Sequence, residues 1–463
     1  MPPIEFLVVG LYLAALLYLG LKNSSKSSGN SRDFILAGRR LSLPGFVATL
    51  VATWYGGILG VGENTYLYGI QTWFIFGLPY YVFGLLFAMF IARRIQAADR
   101  LSIPDHIHHH FGRKAGLISA FYILFMASPA PYILSIGILL QFTLQIPLGP
   151  ALLLASGFSL FYVWFGGFKA VIRTDVLQFI LMFCGFILLF VFSWIEAGPP
   201  TIIFSKLPEM HLHPGGGLPA QYILVWFFIA LWTFVDPGFF QRCAAARDGN
   251  TAKNGILISL GFWFIFDLLT LFTGLYAKVL LSPGPALFTF PRLGAEVLPP
   301  LVYGIFLTGL LATIMSTIDS LGFISAITFG RDILWRVKSK NGSKKTDWDL
   351  QSIKYIRAGL VVMALIALVL AYSLPSVIQL WYTLGSILIP GLLLPFLLTF
   401  TKKSFTTGKI NALLIWPPLI AAGWFTAAQI TGVKFLGLEP FYPGMVTSLL
   451  ILLWRKSPNI NLK

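Results

Sequence analysis

The chain is poor in charge. Only 11% of its 463 residues are Asp, Glu, Lys or Arg, against about 25% in a soluble domain. That shortage, over this length, excludes a water-soluble globule and leaves a surface that faces lipid. Cysteine is nearly missing. Cys184 lies inside an apolar run and Cys243 at the end of another, so no disulfide framework points to an oxidising compartment. Acidic residues are scarce as well, 17 against 33 basic ones. The net charge of +16 would suit a nucleic-acid binder. The basic residues, however, sit in short segments between apolar runs, where a topology signal puts them. Gly60-x-Gly62 is no nucleotide fingerprint, because no strand or soluble fold surrounds it. The six histidines fall in connecting segments, so no nucleophile, base or metal set at membrane depth suggests an enzyme.

What is abundant is apolar length. Hydrophobic residues make up 57% of the chain and aromatics 16%. A helix crosses the hydrocarbon core with about 20 apolar residues. Thirteen such runs are visible, at about 4–21, 43–66, 71–92, 115–145, 149–170, 175–195, 220–241, 255–280, 298–325, 355–375, 377–400, 410–432 and 440–454. The first has no basic residue before it and several after it, including Lys22, Arg32, Arg39 and Arg40. This predicts a retained segment with the N-terminus outside. Alternating from there, all but four of the 33 Lys and Arg fall inside, the exceptions being Lys206, Lys278, Arg292 and Lys434. The C-terminus, with Arg455, Lys456 and Lys463, is then cytoplasmic, and the membrane is the plasma or inner cell membrane. Segments 197–219 and 281–297 form the long outside loops, and 331–354 a polar, mobile inside loop. The fold class expected is an all-α polytopic membrane protein with about thirteen transmembrane helices.

Two runs are broken. The second holds Gly56, Gly57, Gly60 and Gly62 within seven residues, and the seventh contains Asp236-Pro237-Gly238. Glycine loosens a helix and proline removes one of its hydrogen bonds. Two interrupted helices, five apart, mark a transporter's binding site at mid-membrane.

Four stretches carry a resemblance: Asp33 to Arg39, Gly166 to Gln178, Asp236 to Arg242, and Ala312 to Ser320. In this order, on a chain of this length, they resemble the sodium:solute symporter family, and the resemblance covers nearly the whole chain. It implies a five-plus-five inverted-repeat core, helices 2–6 (43–195) and 7–11 (220–400). Residues 1–42 supply an N-terminal helix and inside loop, and 410–463 two closing helices. It implies alternating access, sodium as coupling ion, no cofactor, and a small-molecule solute.

Ser316 and Thr317 offer adjacent hydroxyls, and the Thr313 carbonyl one turn earlier lies on the same face. These are hard oxygen ligands of the kind sodium prefers. The resemblance makes Thr313, Ser316 and Thr317 a sodium site, completed by carbonyls of Leu50 and Thr53, or of Val51 and Trp54 if the register shifts by one. Some relatives place a carboxylate near here, where this chain has Ala52-Thr53. Asp175 matches an aspartate of a second cation site or exit path in some relatives, and also reads as a helix N-terminal cap. Asp267 is an intramembrane acid, a coupling-ion ligand, a protonatable gate or a buried structural hydrogen bond. Glu63 and Asp236 are further acids near the breaks, and Asp319 lies one turn from Ser316. Trp54, Tyr55, Trp232 and Phe239 flank the breaks as solute or gate candidates. The broken regions hold acids and no obvious Lys or Arg, which favours a zwitterionic, cationic or neutral polar solute. His106, His108, His109 and His110 read as a solvated basic loop, and His211 and His213 likewise. The function expected is sodium-coupled uptake, with lipid and solute as partners and no nucleic acid. The alternatives are proton coupling through Asp267 or Asp175, or a solute sensor or channel on the same scaffold.

Overall fold

Lipid offers no hydrogen bonds to the backbone, so an apolar chain must satisfy its own amides and carbonyls by forming helices. The computed structural model describes residues 3–22, 31–338, 345–373 and 376–454, and these are helical throughout apart from short connections. Eleven helices among them are long and apolar enough to cross a membrane. Two of the thirteen expected runs differ. The run at 43–66 is split into α1 (Leu43–Ala52) and α2 (Ile58–Tyr68). The last helix, Phe441–Leu453, has 13 residues. The C-terminal residues whose side was expected to be cytoplasmic, 455–463, lie outside the described residues.

Helix α3 (Ile103–Phe111) contains the histidine cluster, which corrects the expectation of a solvated loop. Ser102 caps it by accepting the Asp105 amide at 3.1 Å, and Pro104 sits in its first turn, a start signal that the sequence carried. His106 is 2% exposed, and its ring stacks on Phe400 with centroids 5.0 Å apart. Burial pushes its imidazole down to about 3, so the ring is neutral at pH 7. His211 is also buried, its Nε2 within 3.0 Å of the Tyr66 carbonyl.

Helix α4 (Leu148–Ala197) joins the fifth and sixth expected runs and turns at Gly167, where φ is +57°. A side chain there would also strike the Phe34 ring and carbonyl, at 2.6 and 2.9 Å from the added carbon. The second broken run consists of Ala220–Ile229, Trp232–Val235 and α5 (Pro237–Ala245), with Asp236 extended between the last two. Helix α6 (Gly249–Leu280) follows, then α7 (Pro300–Ile327).

Helix α7 is the centre of the bundle. Every residue from Phe306 to Ile327 is buried, whereas the helix Pro3–Leu21 exposes Phe6, Leu7, Leu11 and Tyr18. It crosses α4 at Gly309, where an added carbon would lie 2.5 Å from the Leu181 carbonyl oxygen and 3.2 Å from Gly185. Small residues permit this backbone approach. Beyond α7 the chain stays helical through Thr328–Trp335, as wide π turns, and Arg336–Lys338, and a helix resumes at Lys345–Ser373. The expected mobile loop 331–354 therefore shrinks; its centre, 339–344, lies outside the described residues. An ion cluster fixes the segment to α3. Arg331 and Arg336 lie 3.0 and 3.1 Å from Asp105, and Ser102 donates to Asp332 at 2.6 Å.

At this same end of the bundle the chain before α1 is tied to the chain after α5. The Leu41 amide bonds to the Ala245 carbonyl at 3.0 Å, and the Arg247 amide to the Leu41 carbonyl at 3.2 Å. Gln241 donates to the Ile35 carbonyl at 3.2 Å.

Candidate functional site

Between α1 and α2 the backbone leaves helical geometry. In a continuous helix the Trp54 amide would bond to the Leu50 carbonyl; here it bonds to Val51 at 3.2 Å. Leu50 is thus released from its usual helical donor, while Val51, the other candidate, is engaged. The Thr53 carbonyl accepts the Thr317 hydroxyl at 2.8 Å, a contact between the break and α7. Gly56 allows it, because an added carbon would lie 2.5 Å from Thr317 Cβ. The Thr317 hydroxyl also lies 3.4 Å from the Thr313 carbonyl, and the Thr313 hydroxyl turns away to Gly309. Ser316 donates to Asp175 at 2.7 Å. The structure thus brings Thr53, Thr313, Ser316, Thr317 and Asp175 together from three separate segments.

Asp175 is not an N-terminal cap. The second half of α4 begins at Gly167, so Asp175 lies two turns inside the helix, fully buried. Thr49 and Ser316 donate to its two oxygens, and its charge partner is Arg242, 3.7 Å away. Arg242 corrects the expectation that the breaks lack a basic residue. It comes from α5, its side chain is 0% exposed, and its Nη2 donates to Thr53 at 2.8 Å, Ser320 at 2.6 Å and Thr49 at 3.0 Å. The guanidinium also lies over the Phe168 ring, 5.3 Å from its centroid. Sequence reading had the residue in its third motif but no means of pairing α5 with α4.

Next to this network lies a cavity of about 120 Å³, on a measure in which one water needs roughly 10–15 Å³. It has room for a small organic solute. Leu50, Thr53 and Arg242 line it on the network's side, whereas Thr313, Ser316, Thr317 and Asp175 lie behind them. Trp54, Tyr55, Trp232, Phe239, Asp236 and Asp267, all named from sequence, line it too. Asp236 is largely spent as a cap, accepting the Phe239 amide at 2.9 Å. Asp267 accepts the Tyr55 hydroxyl at 2.8 Å and a second bond from Tyr81. Glu63 is partly exposed and outside the lining, and Asp319 is buried within α7. From Arg242 and Leu321 the lining continues past the breaks to Thr65, Thr72 and Leu271, toward the end of the bundle that carries Gly69 and His211.

The sodium:solute symporter family model matches residues 34–415. The chain belongs to the sodium:solute symporter family. It is 25% identical to the high-affinity choline transporter 1 of Drosophila melanogaster, over 94% of this chain and 72% of that protein. It is 25% identical to the osmoregulated proline transporter OpuE of Bacillus subtilis, over 96% of this chain and 93% of that one. A solved Na+-coupled sialic acid symporter in a substrate-bound outward-open state shares the fold, with a TM-score of 0.80 at 17% identity, covering 97% and 96% of the two chains. This symporter-family chain is therefore a multi-pass membrane transporter, not an enzyme, and sodium is the coupling ion of its family.

Proposed function

We propose that the protein takes up a small polar organic solute by alternating access, driven by sodium entering down its gradient. The observation that carries this reading is the bond from the Thr317 hydroxyl to the Thr53 carbonyl across a broken helix, directly behind a cavity. In the reading, Leu50 and Thr53 carbonyls join Thr313, Ser316 and Thr317 around sodium. The helix break supplies carbonyls without helical donors, and α7 supplies hydroxyls from a rigid, buried helix. Asp175, bonded to Ser316, couples this site to a second cation position. Residues 43–195 and 220–400 act as the two repeats, with the N-terminus outside and the C-terminus cytoplasmic. In that orientation the cavity extends outward, and the Leu41–Ala245 and Gln241–Ile35 bonds hold the inner end shut. One charge entering across 100 mV supplies about 2.3 kcal/mol, roughly a fortyfold solute gradient. The relatives named for choline and for proline support a small, polar, nitrogen-bearing solute.

The test compares thermal stability of the purified protein in sodium and potassium at equal ionic strength. A ligand at a hundred times its Kd stabilises by about 2.7 kcal/mol. Sodium-specific stabilisation in the wild type that is lost in Ser316→Ala/Thr317→Ala is the expected result. Equal stability in both salts for the wild type refutes sodium binding, and uptake driven by a pH gradient would then replace it.

A further inference from the structure

The charges around the cavity are unevenly satisfied. Arg242 already has Asp175 at 3.7 Å and three hydroxyls on one nitrogen. Asp236 holds the first amides of α5. Asp267 has two tyrosine hydroxyls and, among the described residues, no ion pair. A carboxylate has about four acceptor positions, and two hydroxyl donors leave acceptor capacity unmet. An intramembrane acid is costly and is retained where it meets a partner or a pathway. Here it faces a cavity.

The walls around it are aromatic. Nine of the 25 lining residues are Trp, Tyr or Phe, a share about twice the 16% of the whole chain. Beside Asp267 they are continuous. Trp54 packs on Trp263 with centroids 4.8 Å apart, and the Tyr55 hydroxyl contacts both the Trp263 carbonyl at 3.0 Å and Asp267 at 2.8 Å. Across the cavity, Trp381 donates to the Tyr132 hydroxyl at 3.3 Å, which fixes both rings. Packing alone would use such rings against lipid or core. Beside a carboxyl that has no ion pair among the described residues, aromatic rings are also groups that attract a cation. The Thr65, Thr72 and Thr270 side chains in the same lining can meet a polar end of such a solute, while Arg242, the basic residue of the lining, already faces Asp175.

We propose that the solute is a compact organic cation, an ammonium or quaternary ammonium compound, whose charged head sits against Trp54 and Tyr55 beside Asp267. This rests on reading the cavity as the solute site.

The experiment measures binding to the purified full-length protein in sodium by thermal stabilisation. The probes are tetramethylammonium, choline, and 3,3-dimethylbutan-1-ol, which copies the shape of choline without its charge. At least one of the two cations should bind, and the neutral isostere should be weaker by about tenfold or more, the size of a desolvated cation–π contact. Asp267→Asn should weaken the cation by a similar factor and leave both the isostere and the sodium effect unchanged. Equal binding of choline and its isostere overturns the proposal without any variant. So does failure of both cations in a protein that sodium still stabilises, which leaves the symporter reading standing. Loss of the sodium effect in Asp267→Asn overturns it as well, by making Asp267 an ion ligand. Absence of any sodium effect in the wild type strikes the symporter reading itself.

Discussion

Replacing Arg242 by Met removes a fully buried guanidinium and leaves Asp175, itself 0% exposed, without its charge partner. Breaking a buried pair on one side costs about 3–5 kcal/mol, because the stranded charge has no water to turn to. Here Thr49, Thr53 and Ser320 also lose a charged donor. Asp175→Asn strands the other partner, which lines the cavity, and belongs at the lower end of that range. If the two losses were independent, the double variant would lose about 6–10 kcal/mol, which rivals the whole stability of many domains. The geometry says otherwise. Each single cost is mostly the penalty of the charge left behind, so the double variant should lose no more than either single one. The coupling should then reach about 3–5 kcal/mol. Equilibrium unfolding of the four proteins in mixed micelles measures it. Additive losses, or single losses below about 1 kcal/mol, would refute a dry, mutually dependent pair and place water in the network.

Gly56→Ala puts a carbon 2.5 Å from both Thr317 Cβ and a Tyr132 ring carbon, so it should abolish the sodium response. Gly423→Ala, with open space around it, should be neutral or stabilise its helix by up to about 1 kcal/mol in the unfolding assay. His106 should make the protein acid-sensitive. Its folded imidazole protonates near pH 3, against 6.5 unfolded. The native state therefore holds fewer protons, and stability falls as pH drops from about 6.5 toward 3. His106→Phe should flatten that slope in melting curves taken across this range, and an unchanged slope would show that the ring titrates freely.

The spans were legible because hydrocarbon leaves the chain no alternative to long apolar helices. The breaks were legible because Gly56-Gly57 and Asp236-Pro237-Gly238 cannot hold a regular helix. Thr313, Ser316 and Thr317 could be grouped because one helical turn puts them on one face. Beyond a single element the reading failed. Asp175 looked like a cap because the start of its helix was placed near it, whereas Gly167 starts that half two turns earlier. Arg242 was only the last residue of a motif stretch, since only tertiary packing sets it beside Asp175. His106 was misjudged by composition, although Ser102, Pro104 and Asp105 spelled out a helix start. The segment after α7 was polar enough to read as loop, and its charges turn out to pair with Asp105 rather than with water.

The bridge at Leu41 has a consequence for how a transporter of this kind is tuned. It joins the two discontinuous helices by main-chain bonds alone, at 3.0 and 3.2 Å. A latch made of backbone forms its bonds whatever the side chains, so apolar residues of similar size could replace the buried Leu41 and Ala246 without loosening it. Proline at position 41 is the exception, because it deletes the donating N–H. At roughly 0.5–1.5 kcal/mol per net hydrogen bond, two such bonds would bias the proposed cycle toward its inner-closed state by about 1–3 kcal/mol, or between fivefold and 150-fold in population. That is a threshold ion and solute binding can overcome, and it stays constant while the cavity is free to change what it carries.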